Sequence, residues 1–252
     1  MRVLPIALQL YSLREQAAKD VRGVLKGVAD IGYAGVEFAG FHGLTPAELK
    51  KALDELGLVC TSSHGALPSK ENVQEIVQAA GTLGYAHQVV SLGPDSYATR
   101  EKTLETAAKL QEAAGVLRGT RIKLSYHNHW WEFENKFGGK SAHLILMENA
   151  PDLLAQIDTY WVAVGGGDPA KVLREVGGRA PLLHIKDGPV DRAKAHQAVG
   201  AGKMNWREIL ATASPAAEWL IVELDSCDTD MWEAVRQSYR YLTSNGFAKG
   251  RK

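Results

Sequence analysis

Short apolar runs and longer amphipathic stretches alternate along the whole chain. The runs Pro5–Leu10, Gly35–Ala39, Leu58–Ser63, Gln88–Leu92, Ile122–His127, Leu153–Asp158, Leu182–Lys186 and Trp219–Leu224 are short, often β-branched, and bounded by Gly, Pro or polar residues, the pattern of buried strands. Between them, helical periodicity covers Asp20–Ile31, Pro46–Leu56, Asn72–Leu83, Thr99–Leu117, Ala142–Asn149, Pro169–Val176 and Asp230–Leu242. Thr45-Pro46-Ala47-Glu48 reads as an N-cap with a first-turn proline, and Asp168-Pro169 does the same for a later helix. Gly32, Gly57, Gly84 and Gly177 follow helix ends, where a left-handed C-cap is expected.

Strand starts recur about every 31 residues, the length of one βα unit. Eight such units with no antiparallel hairpin signal predict a single-domain α/β fold over residues 1–252, a (β/α)8 TIM barrel. An open doubly wound sheet would carry a Gly-rich phosphate turn after its first strand, and Gln9-Leu10-Tyr11-Ser12-Leu13-Arg14 is not one. Gly165-Gly166-Gly167 lacks the spacing of a dinucleotide fingerprint and reads as a loop.

Composition narrows the function classes. The 252 residues are 45% hydrophobic with six Trp, enough for a large core. Lys plus Arg and Asp plus Glu number 29 each, so no net charge favours a nucleic-acid backbone, and none is expected as a partner. No apolar run approaches a membrane-spanning length, so no membrane association is expected and the expected location is the cytoplasm. Cys60 and Cys227 lie far apart without metal-type spacing and are expected to be buried free thiols.

The chemistry gathers at the C-terminal ends of the strands, where a barrel keeps its site. Glu37 ends strand two, His64 follows strand three, and His127-Asn128-His129 ends strand five. Asp158, then His184 with Lys186, then Glu223 with Asp225 end strands six, seven and eight. Period-two alternation turns His184 and Lys186, Gln156 and Asp158, and Glu223 and Asp225 towards the barrel axis. So many ionisable groups in a closed interior are costly unless they pair or hold a cation. Nitrogen and oxygen donors without thiolate suit one divalent ion, manganese, zinc, cobalt or magnesium; a hydrogen-bonded polar cluster is the alternative reading of the same residues.

Eight segments occur in order: QLYSLR (9–14), GVEF (35–38), YHNHWWEF (126–133), IDTYWV (157–162), GGDP (166–169), LHIKD (183–187), VGAG (199–202) and IVELD (221–225). Together they resemble the xylose isomerase-like TIM barrels known as sugar phosphate isomerases/epimerases, over nearly the whole chain. The resemblance implies a metal held by Glu, Asp, His and Glu at strand ends, and Asp158, His184 and Glu223 fall on three of those positions. At the fourth, the usual Glu-Pro-His is His127-Asn128-His129. His127 is then the expected ligand because it lies on the strand, with Glu132, from the following loop, as the alternative.

The resemblance further implies an isomerase or epimerase of a small sugar or keto-sugar, working by proton abstraction next to a carbonyl. Glu223 is the candidate base as well as a ligand, and Lys186 the candidate acid. Glu37, His64, His129 and Glu132 are candidate contacts to substrate hydroxyls, and Trp130, Trp131 and Trp161 are either stacking surfaces for a sugar or core. Loss of the first Glu leaves room for a lyase or hydratase acting on 3-keto-glycosides or inososes, or for a sugar-binding barrel without catalysis. A homodimer burying some of the Trp residues is a further expectation.

Overall fold

A computed structural model describes residues 2–251. Eight parallel strands close on themselves: β1 (Leu4–Gln9), β2 (Gly35–Ala39), β3 (Val59–His64), β4 (His87–Val90), β5 (Lys123–His127), β6 (Leu154–Asp158), β7 (Leu182–Ile185) and β8 (Trp219–Val222). The ring is completed by β8 pairing with β1, with Ile6 opposite Leu220 and Leu8 opposite Val222. The chain is therefore a single-domain (β/α)8 TIM barrel, as the periodicity predicts. Each strand lies within two residues of its expected span at either end.

Main helices follow each strand: α1 (Arg14–Ile31), α2 (Pro46–Leu56), α3 (Val73–Leu83), α4 (Arg100–Val116), α5 (Ala142–Asn149), α6 (Pro169–Val176), α7 (Trp206–Ala211) and α8 (Met231–Ser244). Thr45 forms a full capping box with Glu48, and Asp168 accepts from Lys171 N ahead of Pro169. The expected helix start at Asp20 corresponds to a break within α1. Asp20 has non-helical backbone and its carboxylate accepts from Gly23 N, capping the second segment.

Besides α7, which no expected helix covers, three features differ from the sequence expectations. Lys136–Phe137 and Lys140–Ser141 form a small antiparallel hairpin, turned by Gly138 and Gly139 at positive φ. Short helices at Trp131–Glu134 and Thr159–Val164 fill loops that carry no long periodicity of their own. Gly177 has φ 57° and ψ −128°, outside the left-handed helical region that Gly32, Gly57 and Gly84 adopt.

The core has two parts. Most of it lies between strands and helices, while a small cluster of Ala7, Val89, Leu182 and Ile221 sits on the side of the strands facing the axis and closes the barrel floor. One step further along the same strands, alternation puts Gln9, His184 and Glu223 on that side, so the polar site stands directly on the apolar floor. Cys60 is buried and its thiol is pushed up by burial, whereas Cys227 is only half-buried; both are free. Among the described residues no helix is long and apolar enough to cross a membrane.

Candidate metal centre

Glu37 faces the axis by regular alternation along β2, opposite Gln9 of β1. Between β2 and β3 the register shifts so that Val36 faces Cys60 while Glu37 faces Ser62, skipping Thr61. Such a bulge re-aims side chains of the strand that carries it, here bringing Ser62 of β3 against Glu37, which is a fully buried hub. Its Oε1 accepts from Gln9 Nε2 at 2.7 Å and from His184 Nε2 at 2.7 Å, and lies 3.1 Å from His64 Nε2. Its Oε2 accepts from the Ser62 hydroxyl and from Gln156 Nε2 at 2.5 Å. Burial works against the charge, but His64 and His184 hold the carboxyl well below its usual range.

His184 stands between two carboxylates, with Nε2 on Glu37 and Nδ1 2.8 Å from Glu223 Oε2. Burial opposes its protonation, yet Glu37 and Glu223 raise it to about 10. His64 Nε2 also lies 2.9 Å from Gln156 Oε1; facing two acceptor oxygens, that nitrogen carries the proton.

Lys186 enters the same cluster from one residue beyond β7. It is only 1% exposed, and its Nζ lies 3.1 Å from Asp158, 2.9 Å from Glu223 and 2.7 Å from Asp225. Burial disfavours the ammonium, but these three carboxylates hold its pKa well above the usual value. Asp158 is pushed up to about 6 by burial, while Glu223, equally buried, is held well below the usual range by Lys186 and His184. Asp187, the next residue, takes no part in this cluster. Asp187 turns the other way and accepts from Gly188 N, Gly200 N, Met204 N and Trp206 Nε1 at 2.7–3.2 Å.

His127 ends β5 in the same group and is driven well below its usual pKa by burial and by His184. Beside it, both ends of the Asn128 amide are spent on the Asp158 backbone, Oδ1 accepting from N at 3.0 Å and Nδ2 donating to O at 3.2 Å, which ties β5 to β6. Sequence reasoning did not single out Asn128 or Gln156 as site residues; the inward alternation of Gln156 was its only signal. Asp158 Oδ1 caps the Thr159–Val164 helix through Trp161 N at 2.9 Å.

These residues suit a divalent cation. His127, Asp158, His184 and Glu223 each offer one donor atom, and the four atoms lie within 4.8 Å of one another. His127 Nδ1 and Asp158 Oδ2 are buried without a hydrogen-bond partner; Lys186 is near Asp158 Oδ2 in distance, without hydrogen-bond geometry. Orphaned buried polar atoms of this kind are rare in folded proteins and point to a missing partner. His64, His127 and His184 also form a second group that meets the same criterion.

Glu132 is not part of this group. It is fully buried, accepting from the Tyr126 hydroxyl at 2.6 Å and from His129 N at 2.9 Å, and burial pushes it up to about 8. Tyr126 precedes the inward His127 and points to the helix side, which carries Glu132 away from the axis. His129 stacks on Trp131 with ring centres 4.2 Å apart, and burial lowers it to about 3. Trp130, Trp131 and Trp161 continue this wall towards His196, leaving the indole nitrogens of Trp131 and Trp161 unpartnered. Arg14 packs over the Tyr11 ring and donates to Asp225 O at 3.0 Å.

The sequence profile of the xylose isomerase-like TIM barrel family matches residues 25–244, and the chain belongs to that family. A sugar phosphate isomerase/epimerase from Parabacteroides distasonis superposes with a TM-score of 0.80 at 24% identity, covering 99% of this chain and 96% of that one. A probable 3-DHS dehydratase from Bacillus anthracis gives 0.76 at 13% identity over 95% and 99%. The IOLI protein, solved with a zinc atom bound, gives 0.69 at 12% identity over 97% and 98%. No curated protein matches the sequence. Solved barrels of this shape thus carry isomerase/epimerase and dehydratase names.

Proposed function

We propose that this protein is a divalent-metal-dependent enzyme acting on a small sugar or keto-sugar, moving a proton on the carbon next to a carbonyl. The observation that carries the reading is the convergence of His127, Asp158, His184 and Glu223 from four successive strand ends, with donor atoms within 4.8 Å. These four residues would hold manganese, zinc, cobalt or magnesium, and the bound ion supplies Lewis acidity to a carbonyl and its neighbouring hydroxyl.

The remaining chemistry belongs to the protein. Glu223 is ionised and can take a proton. Lys186 retains its proton beside it and can donate to an oxygen on which negative charge develops. His64, half-buried at the rim, and His129, with an unpartnered Nδ1, can meet substrate hydroxyls. Glu37 spends its oxygens on protein donors and acts through His184. Glu132 supports the Trp wall and is not assigned a substrate contact.

A second reading, a lyase or hydratase working next to a keto group, is favoured by one observation. The cluster pairs one carboxylate base with one ammonium, because His127 stands where a second carboxylate would be. A metal-bound neutral imidazole cannot also act as a base.

Elemental analysis of protein purified without a tag or chelator tests the metal. Near one equivalent, lost in a His184→Ala/Glu223→Ala variant, is expected; no metal in either, after reconstitution with each ion, overturns the reading. With a substrate in hand, Glu223→Gln should abolish turnover while the fold survives.

A further inference from the structure

We propose that Lys186 is the built-in counter-cation of this cluster, and that a divalent ion binds by moving its ammonium off Asp158 and Glu223 onto Asp225. The proposal rests on the metal reading above and adds what governs the affinity. Asp158 and Glu223 are two of the four converging donors, and both lie within 3.1 Å of Lys186 Nζ. Two cations cannot both take full advantage of the same pair of carboxylates, because each lowers the potential available to the other.

The geometry already provides the alternative position. Of the three acidic neighbours, only Asp225 accepts a well-formed hydrogen bond from Nζ, at 2.7 Å; the contacts with Asp158 and Glu223 are ion pairs by distance alone. Asp225 also stands at the outer edge, with a side chain 35% exposed against 0% for Asp158 and 6% for Glu223. Its backbone is fixed from both sides, N donating to His196 Nδ1 at 3.1 Å and O accepting from Arg14. The backbone that carries this carboxylate is therefore anchored beside the ammonium. Trp161 flanks the path, its ring centre 5.3 Å from Nζ. Leaving the inner pair requires only side-chain torsions of Lys186, with its one directional bond kept.

Isothermal titration with zinc and manganese chloride tests this on full-length protein, stripped with chelator and dialysed. Lys186→Met should raise the association constant about tenfold or more, since it removes the competitor. Asp225→Asn should lower it about tenfold, since the ammonium then stays on the inner carboxylates. Neither substitution replaces a proposed ligand, and circular dichroism reports folding; if Lys186→Met fails to fold, Asp225→Asn alone decides. Binding within twofold of wild type in both variants, or weaker binding in Lys186→Met, overturns the proposal while leaving the metal reading intact. Absence of binding in wild type and both variants overturns the metal reading itself, and the proposal with it.

Discussion

Glu37 and His184 are joined by a 2.7 Å hydrogen bond from the imidazole Nε2, which turns the other ring nitrogen towards Glu223. A carboxylate behind a histidine of this kind fixes ring orientation, and its loss usually costs 10–100-fold in metal affinity. In Glu37→Gln, one oxygen can still accept from His184, but the new amide group would face Ser62 and Gln156, both donors. Glu37→Gln should therefore weaken zinc or manganese binding by roughly 10–100-fold. Isothermal titration checks this; unchanged affinity would remove Glu37 from the positioning role.

His127 gives the cluster a second imidazole beside His184. Imidazole suits zinc, copper and nickel, whereas carboxylates suit magnesium and manganese. His127→Glu should shift the ratio of zinc to manganese affinity towards manganese by about tenfold or more. Competition between the two ions, read by elemental analysis after dialysis, measures the ratio.

Glu132 separates structure from ligation. Glu132→Ala strands the Tyr126 hydroxyl and His129 N, two buried donors, and should destabilise the fold by about 2–4 kcal/mol. Urea unfolding gives that number. Metal affinity at a temperature where the variant stays folded should remain within twofold of wild type; a larger loss would return Glu132 to the ligand set.

His143 provides a pH signature away from the cluster. It is buried in α5, stacked on Phe133, and burial, with Arg179 adding to the effect, lowers it to about 3. The unfolded chain protonates near its usual 6.5, so stability is full above that pH and is lost as pH falls towards 3, at up to about 1.4 kcal/mol per unit. His143→Phe keeps a ring on Phe133 and should remove this slope. Between pH 7 and 5 the variant should gain about 2 kcal/mol relative to wild type, measured by denaturant unfolding.

Much of the barrel is legible in the chain because both of its periods are strong. Strands buried on two faces give unbroken apolar runs, and their inward alternation alone brings Gln156, Asp158, His184 and Glu223 to one end. What resists reading depends on distant parts of the chain. The side to which Glu132 turns follows from Tyr126 facing the helices, and the meeting of Ser62 with Glu37 follows from a register shift that no spacing in β3 announces. The turn at Gly177 shows the same limit, since a glycine permits several backbone regions and neighbouring packing selects one. Lys186 was visible as a charged residue on the inner face; that its partners are Asp158, Glu223 and Asp225, with Asp187 facing away, is a matter of three-dimensional placement.

The Asp187 carboxylate has a consequence for how the rim is held together. It collects donors from residues 188, 200, 204 and 206, and Gly202 packs so tightly against it that an added Cβ would lie 2.1 Å from Oδ1. Because these donors share one buried carboxylate, the stretch from residue 188 to 206 is ordered around a single group. His196 rides on that stretch and reaches Asp225 N, which links it to the residue that holds Lys186. Order in the rim and the setting of Lys186 thus share one determinant, Asp187, which lies outside the four converging donors.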